Sequence, residues 1–197
     1  MAVWQFDLLL ISRGNVISLF GVVPPLLEEI DLEKVESWKV VLLDINCEEL
    51  FSSFVSVDES WSPEIQMWGE ENGNRVEVVG AIDQPESIFI RIDARELNDR
   101  FLHGVVKAAE RLDALLLLIE NMKVIEPRLH LLKESVNCSN AKRWVDNPTK
   151  FIKSIRSGKT KIRPNNSSYL LRFYRVDRCF DTVGVCKSDT FESKRSP

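Results

Sequence analysis

Residues 64–95 read EIQMWGEENGNRVEVVGAIDQPESIFIRIDAR, three short apolar runs separated by two turn sequences. The first turn contains Asn72-Gly73, a dipeptide that favours the positive φ angles of a tight hairpin. In the last run, isoleucines alternate with Phe89, Arg91 and Asp93, as in a strand with one buried face. The segment therefore predicts a three-stranded antiparallel meander with one apolar face.

The chain after the meander predicts helices and one more strand. Residues 97–112 repeat apolar side chains at helical spacing, whereas 114–120 are an almost continuous apolar run of strand length. Helices are expected after Pro127 and from Asn147-Pro148, the latter ending at Ser157-Gly158. This order of elements predicts an α+β fold: a mainly antiparallel sheet with helices packed on one face.

The chain before the meander gives weaker patterns. We expect a strand over 3–11 and a second strand, or an extension of the first, over 16–20. Pro24-Pro25 is expected to open a helix, because proline at the first helical position loses no hydrogen bond. A buried strand over 38–45 and a short helix over 48–55 complete this half.

Charge divides the chain into two unequal parts. Residues 141–197 hold 14 Lys+Arg against 5 Asp+Glu, a net of +9, and residues 1–140 hold 12 against 25, a net of −13. We predict an α+β domain over 1–158 and a basic, partly disordered C-terminal extension over 159–197. Such asymmetry bears on the choice of partner and the rate of encounter, and not on the fold.

Cysteine spacing and the absence of a visible leader indicate a cytoplasmic protein. The four cysteines, Cys47, Cys138, Cys179 and Cys186, form no CxxC pair, and we expect free thiols. Residues 1–7 lack the basic start of a secretory signal. No apolar run approaches the ~20 residues that span a bilayer, so no membrane association is expected.

Residues with catalytic potential are few and scattered. The two histidines, His103 and His130, are expected on solvated helix faces, although Glu96 and Glu110 lie seven residues on either side of His103. Gly158-Lys159-Thr160 lacks the earlier glycine of a phosphate-binding loop. We therefore predict no enzyme activity, no catalytic residue, no metal site and no cofactor, with a site built on His103 as the remaining enzymatic hypothesis.

The basic C-terminal segment, residues 141–197, supports an alternative function. Its lysines and arginines are followed by Tyr169, Phe173 and Tyr174, and basic residues interleaved with aromatic ones can bind nucleic acid by charge and stacking. A nucleic-acid-binding accessory protein is thus the second hypothesis. A basic face that pairs with the acidic body or stays solvated is the simpler interpretation, so nucleic acid is not our expected partner.

Three motifs carry a family resemblance: Trp68-Gly69-Glu70 before Gly73-Asn74, the run 90–95 (IRIDAR), and the run 147–152 (NPTKFI). Together they resemble small bacterial immunity proteins encoded beside polymorphic toxins, including contact-dependent growth inhibition toxins. The resemblance covers about residues 2–157 and excludes the basic tail. It implies structural roles for Trp68, for the turn glycines, and for Arg91 and Asp93 as a paired charge set, since Asp93 lies between Arg91 and Arg95 in the sequence.

A member of that family binds a cognate toxin domain and needs no active site of its own. Many such toxins are nucleases, which are basic, and the −13 of residues 1–140 would steer association with them. Trp38, Trp61 and Trp68 are candidate interface anchors, although core positions suit them equally. We place the partner-binding surface at the turns of the meander, on Asp58, Glu59, Glu64, Glu70 and Glu71.

Overall fold

The structure is a computed structural model that describes residues 3–35, 38, 45–158 and 160. All of these residues belong to one compact unit, Met1–Asn165. The strands are β1 Gln5–Ser12, β2 Val57–Asp58, β3 Ile65–Gly69, β4 Arg75–Ala81, β5 Gln84–Asp93, β6 Ala114–Leu118 and β7 Lys123–Ile125. The helices are α1 Arg13–Phe20, α2 Leu32–Val35, α3 Cys47–Ser52, α4 Asp99–Arg111, α5 Leu129–Cys138, α6 Asn140–Asp146 and α7 Pro148–Arg156, with a 3-10 turn at Glu29–Asp31.

Within the described residues the seven strands form one sheet in the order β2-β3-β4-β5-β1-β6-β7, and every pair is antiparallel. The predicted meander is β3, β4 and β5, joined by the Asn72-Gly73 turn and by a turn after Ala81. The first strand of the chain lies between β5 and β6, with Leu8 opposite both Ile90 and Leu118. The predicted α+β fold is therefore confirmed.

The main core lies between one face of this sheet and helices α3 to α6. Alternate residues of β1, β4 and β5 meet the apolar stripe of α4, which includes Phe101, Val105 and Ala109. Each fully buried Leu, Ile, Val or Phe side chain contributes roughly 1.5–3 kcal/mol. This packing explains why the long apolar repeat at 97–112 forms a helix against the sheet.

The other face of the sheet holds buried charge on β1, β4 and β5. Arg91 Nε lies 3.3 Å from Asp7 Oδ1, and Arg75 Nη2 donates to Asp58 Oδ2 at 2.9 Å. Glu77 Oε1 lies 3.7 Å from both guanidinium groups. Burial raises the pKa of Asp7, and the Arg91 charge opposes that rise. Charges of opposite sign thus alternate along this face and pair with one another.

Two expectations for the first half of the chain are wrong. Residues 16–20 belong to helix α1, because the Ser12 side chain accepts the Asn15 N–H at its start and Gly21, in the left-handed region, ends it. Pro24-Pro25 opens no helix. Residues 25–27 instead run along β7, where Pro25 O accepts the Val124 N–H.

Most of the strand predicted over 38–45 lies outside the described residues. Trp38 itself is buried, and its indole Nε1 donates to Leu10 O at 3.0 Å. The short helix predicted over 48–55 is present as α3, and the helix after Asn147 is α7, with Asn147 as its cap. No helix among the described residues has the length and apolar character to cross a membrane.

Candidate functional site

The five predicted acids lie along one edge of the described sheet, at both ends of β3. Asp58, Glu59 and Glu64 flank the loop between β2 and β3, whereas Glu70 and Glu71 follow β3 in the hairpin turn. β3 has five residues, so the two groups are separated by roughly 16 Å at ~3.3 Å per residue. Four of the five side chains are exposed, and one protein interface of ordinary size would cover both groups.

Asp58 differs from the other four because its carboxylate forms an ion pair within the sheet. Its carboxylate accepts from Arg75, whose side chain is only 8% exposed, and from the Glu59 backbone N–H. Removing Asp58 would take a partner from a buried guanidinium, a costly change in a low-dielectric environment. Its first role is therefore to join β2 to β4 across the intervening β3.

The three candidate tryptophans separate into two buried residues and one exposed residue. Trp68 packs 5.4 Å from the Phe51 ring, and its Nε1 donates to Ser52 Oγ, so it is a core anchor. Trp38 is also fully buried. Trp61 is 49% exposed and lies between Glu59 and Glu64, in the loop that follows the exposed Val57. Of these three tryptophans, Trp61 alone has an exposed side chain.

A cleft of about 460 Å³ opens at the other end of this edge, beside Glu70. It forms where three segments meet: the loop after α3, the β3–β4 turn, and the chain between β5 and α4. Its lining consists of Phe54, Val55, Ser56, Gly69, Glu70, Gly73, Asn74, Asp93, Glu96, Asn98 and Phe101. The floor is thus partly apolar, and two exposed carboxylates stand on the rim.

Asp93 in this lining is neutralised within the fold. Its two oxygens accept from the Arg95 guanidinium at distances down to 2.7 Å, and that guanidinium also lies 4.7 Å from the Trp4 ring centroid. The Asp93 N–H donates to Asn74 Oδ1. The predicted structural charge pairing of Arg91 and Asp93 is thus confirmed, but each has a partner other than the other: Asp93 binds Arg95, and Arg91 lies against Asp7.

The charge of the cleft consequently comes from Glu70 and Glu96. Both side chains are exposed, and both lie in segments without regular structure, one after β3 and one before α4. Asn98 accepts the Phe101 N–H and so caps the start of α4 at the cleft wall. The cleft combines aromatic surface with two negative charges.

Two glycines allow the walls of the cleft to approach. Gly69 has φ of 104°, and a Cβ atom there would overlap Asn74 O across the turn. A Cβ atom at Gly104 of α4 would overlap the Phe54 ring. The Trp-Gly motif is therefore structural, as the resemblance implied, and its glycine shapes the cleft.

Among the described residues, neither histidine lies in a cluster of side chains that could form a catalytic or metal site. His103 is exposed on α4, but Glu96 precedes the cap of that helix and so does not share its face. Asp99, one turn before His103, pairs with Lys133 at 2.8 Å. His130 is exposed on α5. In the described ranges no three His, Cys, Asp or Glu side chains are arranged to hold a metal ion.

A smaller cavity of about 210 Å³ lies between β6, β7 and α5. Glu120 in its lining accepts the Asn140 N–H at 2.9 Å, and burial raises the pKa of this carboxyl. Cys138, also in the lining, is an exposed free thiol, whereas Cys47 is buried in the core, and burial raises its pKa to about 11. Cys179 and Cys186 lie outside the described residues.

Most of the basic segment also lies outside the described residues. The part that is described includes α6 and α7, where Lys142 pairs with Asp146 at 2.6 Å and Arg143 donates to Thr160 Oγ1 at 2.9 Å. Lys150, Lys153 and Arg156 are exposed on α7. Two of the basic side chains of this region thus serve local structure, and three face solvent.

Comparisons with family models, with curated proteins and with solved structures found no match to this chain.

Proposed function

We propose that this chain is a cytoplasmic immunity protein that binds a basic toxin domain and blocks it sterically by covering the surface with which the toxin binds its substrate. One observation carries the proposal: the acids predicted to meet the partner lie along a single sheet edge that also exposes Trp61. We call this surface, residues 57–64 with 70–71, the acidic edge. Acidic side chains around an exposed tryptophan are the composition expected of a surface that binds a basic protein.

The charge of the chain supports a basic partner. Residues 1–140 have a net charge of −13, and four of the five acids of the acidic edge are exposed. A field of that sign speeds encounter with a positively charged protein and slows encounter with an acidic one. Nucleases and other toxins that bind phosphate have the matching sign.

Rigidity supports binding by a preformed surface. β2 and β3 are joined to the body of the sheet through β4, and the Asp58–Arg75 ion pair links β2 to β4 across β3. A surface on such a scaffold loses little conformational entropy on binding, which favours high affinity.

Affinity capture tests the proposal. Tagged protein is incubated with lysate of its native cells, and bound proteins are identified by mass. The proposal predicts one stoichiometric partner with a basic domain, whose capture weakens at high salt and when Glu59, Glu64 and Glu71 are changed together to Gln. A matched triple variant at Glu28, Glu48 and Glu134, which lie elsewhere on the surface, should capture it normally.

Recovery of DNA or RNA in place of a protein would overturn the proposal. The basic residues that follow Ser157 would then be the expected contacts, and truncation after Ser157 should abolish that recovery.

A further inference from the structure

We infer that the cleft beside Glu70 receives an arginine side chain of the partner. The inference rests on the proposed function for the identity of the partner, but the chemistry of the cleft can be tested without it. An arginine has two parts, an apolar stem and a planar charged guanidinium, and the cleft offers surface for each.

The floor suits the stem and the face of the guanidinium. Phe54 and Val55 are half-buried and line the cleft, with Phe101 beneath them. The Phe54 and Phe101 ring centroids lie 5.7 Å apart, so the buried Phe101 ring supports the half-buried Phe54 ring that lines the cleft. A guanidinium near an aromatic face gains cation–π attraction, and its methylene groups remove apolar surface from water.

The rim suits the charge of the guanidinium. Glu70 and Glu96 are exposed at the cleft, whereas Asp93 is already bound by Arg95. Two unneutralised carboxylates favour a cation and disfavour a phosphate or carboxylate ligand. The planar guanidinium has several N–H donors in a fixed fork that can reach both carboxylates, whereas a lysine ammonium is a compact charge with rotatable donors.

The cleft also lies next to the acidic edge that the partner is proposed to cover. Glu70 and Glu71 are the end of the acidic edge, so a partner that covers the edge reaches the cleft without a second contact surface. The cleft is partly open to solvent, and its volume of about 460 Å³ is within the usual range for small-molecule pockets.

Nuclear magnetic resonance titration of the whole protein with N-acetyl-argininamide tests the inference. We expect saturable shifts of the backbone amides of Gly73, Asn74 and Phe101. N-acetyl-citrullinamide, which has the same shape and no charge, should cause little change. Glu70→Gln with Glu96→Gln should weaken binding of the arginine derivative about fivefold, because two exposed charge contacts are lost.

A matched variant, Asp83→Asn with Glu110→Gln, removes the same charge at exposed positions outside both the cleft and the acidic edge, and should bind normally. Equal binding of the citrulline derivative would overturn the inference in favour of a neutral occupant. Shifts spread over all acidic surfaces, or equal loss in both variants, would overturn it in favour of unspecific attraction.

The two proposals can fail separately. Arginine binding in the cleft with no protein captured from lysate would retain the cleft and reject the immunity function. Capture of a toxin that binds the double cleft variant as tightly as the unchanged protein would retain the function and reject the cleft.

Discussion

The ring of Phe54 occupies the space that a side chain at Gly104 would need, so the α3–β2 loop lies directly against helix α4. Phe54 is also part of the cleft floor, and Gly104 is buried in the middle of α4. The contact joins two segments fifty residues apart and fixes one wall of the cleft.

Gly104→Ala is expected to destabilise the protein by about 1–3 kcal/mol, because Phe54 must move from a packed position. In an open helix the same change would stabilise by roughly 0.5–1 kcal/mol. Gly14→Ala provides that control, since a Cβ atom on this α1 residue would only contact Ser12 Oγ at 3.8 Å. Urea unfolding of both variants measures the difference. A Gly104→Ala variant that is more stable than the wild type would show that the Phe54 ring moves aside at little energetic cost.

The sequence predicted the sheet better than the cleft. The Asn72-Gly73 turn and the alternating isoleucines are local signals, and the meander they predicted is present. The strand predicted at 16–20 is wrong because local capping by Ser12 and Gly21 outweighs the strand preference of Val16 and Ile17. Caps of this kind are visible in the sequence but compete with apolar patterns.

The cleft could not be predicted because its walls are distant in sequence. The turn sequence predicts Glu70 as a surface acid, whereas the spacing of Glu96 relates it only to His103. Nothing local indicates that Phe54 lines the same cleft as both of them. The pairing of Arg91 with Asp7, across 84 residues, is likewise a property of strand order that the pattern of a single strand does not contain.

Glu126→Gln should remove a pH-dependent part of the stability. Hydrogen bonds from Arg13 to both oxygens, at 3.0 and 2.6 Å, lower the pKa of Glu126, and burial only partly opposes them. The folded pKa is below the ordinary 4.5, so this stabilisation is present above that pH and is lost as the pH falls through the folded pKa. Because the pair is partly exposed, its value near pH 7 should be below about 1 kcal/mol.

Thermal unfolding of the wild type and Glu126→Gln from neutral to acid pH measures this effect. The difference between them should shrink in acid. In an Arg13→Gln background the same substitution should show no such trend, and an unchanged trend there would mean that Arg13 is not the cause.

Glu120→Gln should show the opposite dependence on pH. Burial raises the pKa of Glu120 above 4.5, against the hydrogen bond from the Asn140 N–H and the charge of Arg143. The folded state thus holds the proton more tightly than the unfolded state, and the wild type loses stability as the pH rises through the interval above 4.5. The Gln side chain keeps an oxygen that accepts from Asn140 and has no charge to bury.

Relative to the wild type, Glu120→Gln should therefore be more stable at neutral pH than at pH 4, as measured by urea unfolding at each pH. If instead the variant becomes less stable relative to the wild type as the pH rises, the ionised carboxylate stabilises the start of α6 more than its burial destabilises the folded state.

Trp61→Ala should weaken partner binding by about 2 kcal/mol or more, roughly thirtyfold, while changing the free energy of unfolding by less than about 1 kcal/mol. The expectation follows from its 49% exposure within the acidic edge. Ile30→Ala is the matched control, because Ile30 is 74% exposed in the 3-10 turn, outside that edge. Calorimetric titration with the captured partner measures both affinities, and equal losses would place the anchor elsewhere.

Growth of cells that express the captured partner tests the immunity function most directly. The partner is placed under an inducible promoter, alone or together with this protein, in a strain that lacks both. We expect that induction stops growth, that co-expression of the wild type restores it, and that a variant combining Trp61→Ala with Glu70→Gln and Glu96→Gln restores it less. Growth that is unaffected by the partner alone, or arrested equally with and without this protein, would rule out the immunity function.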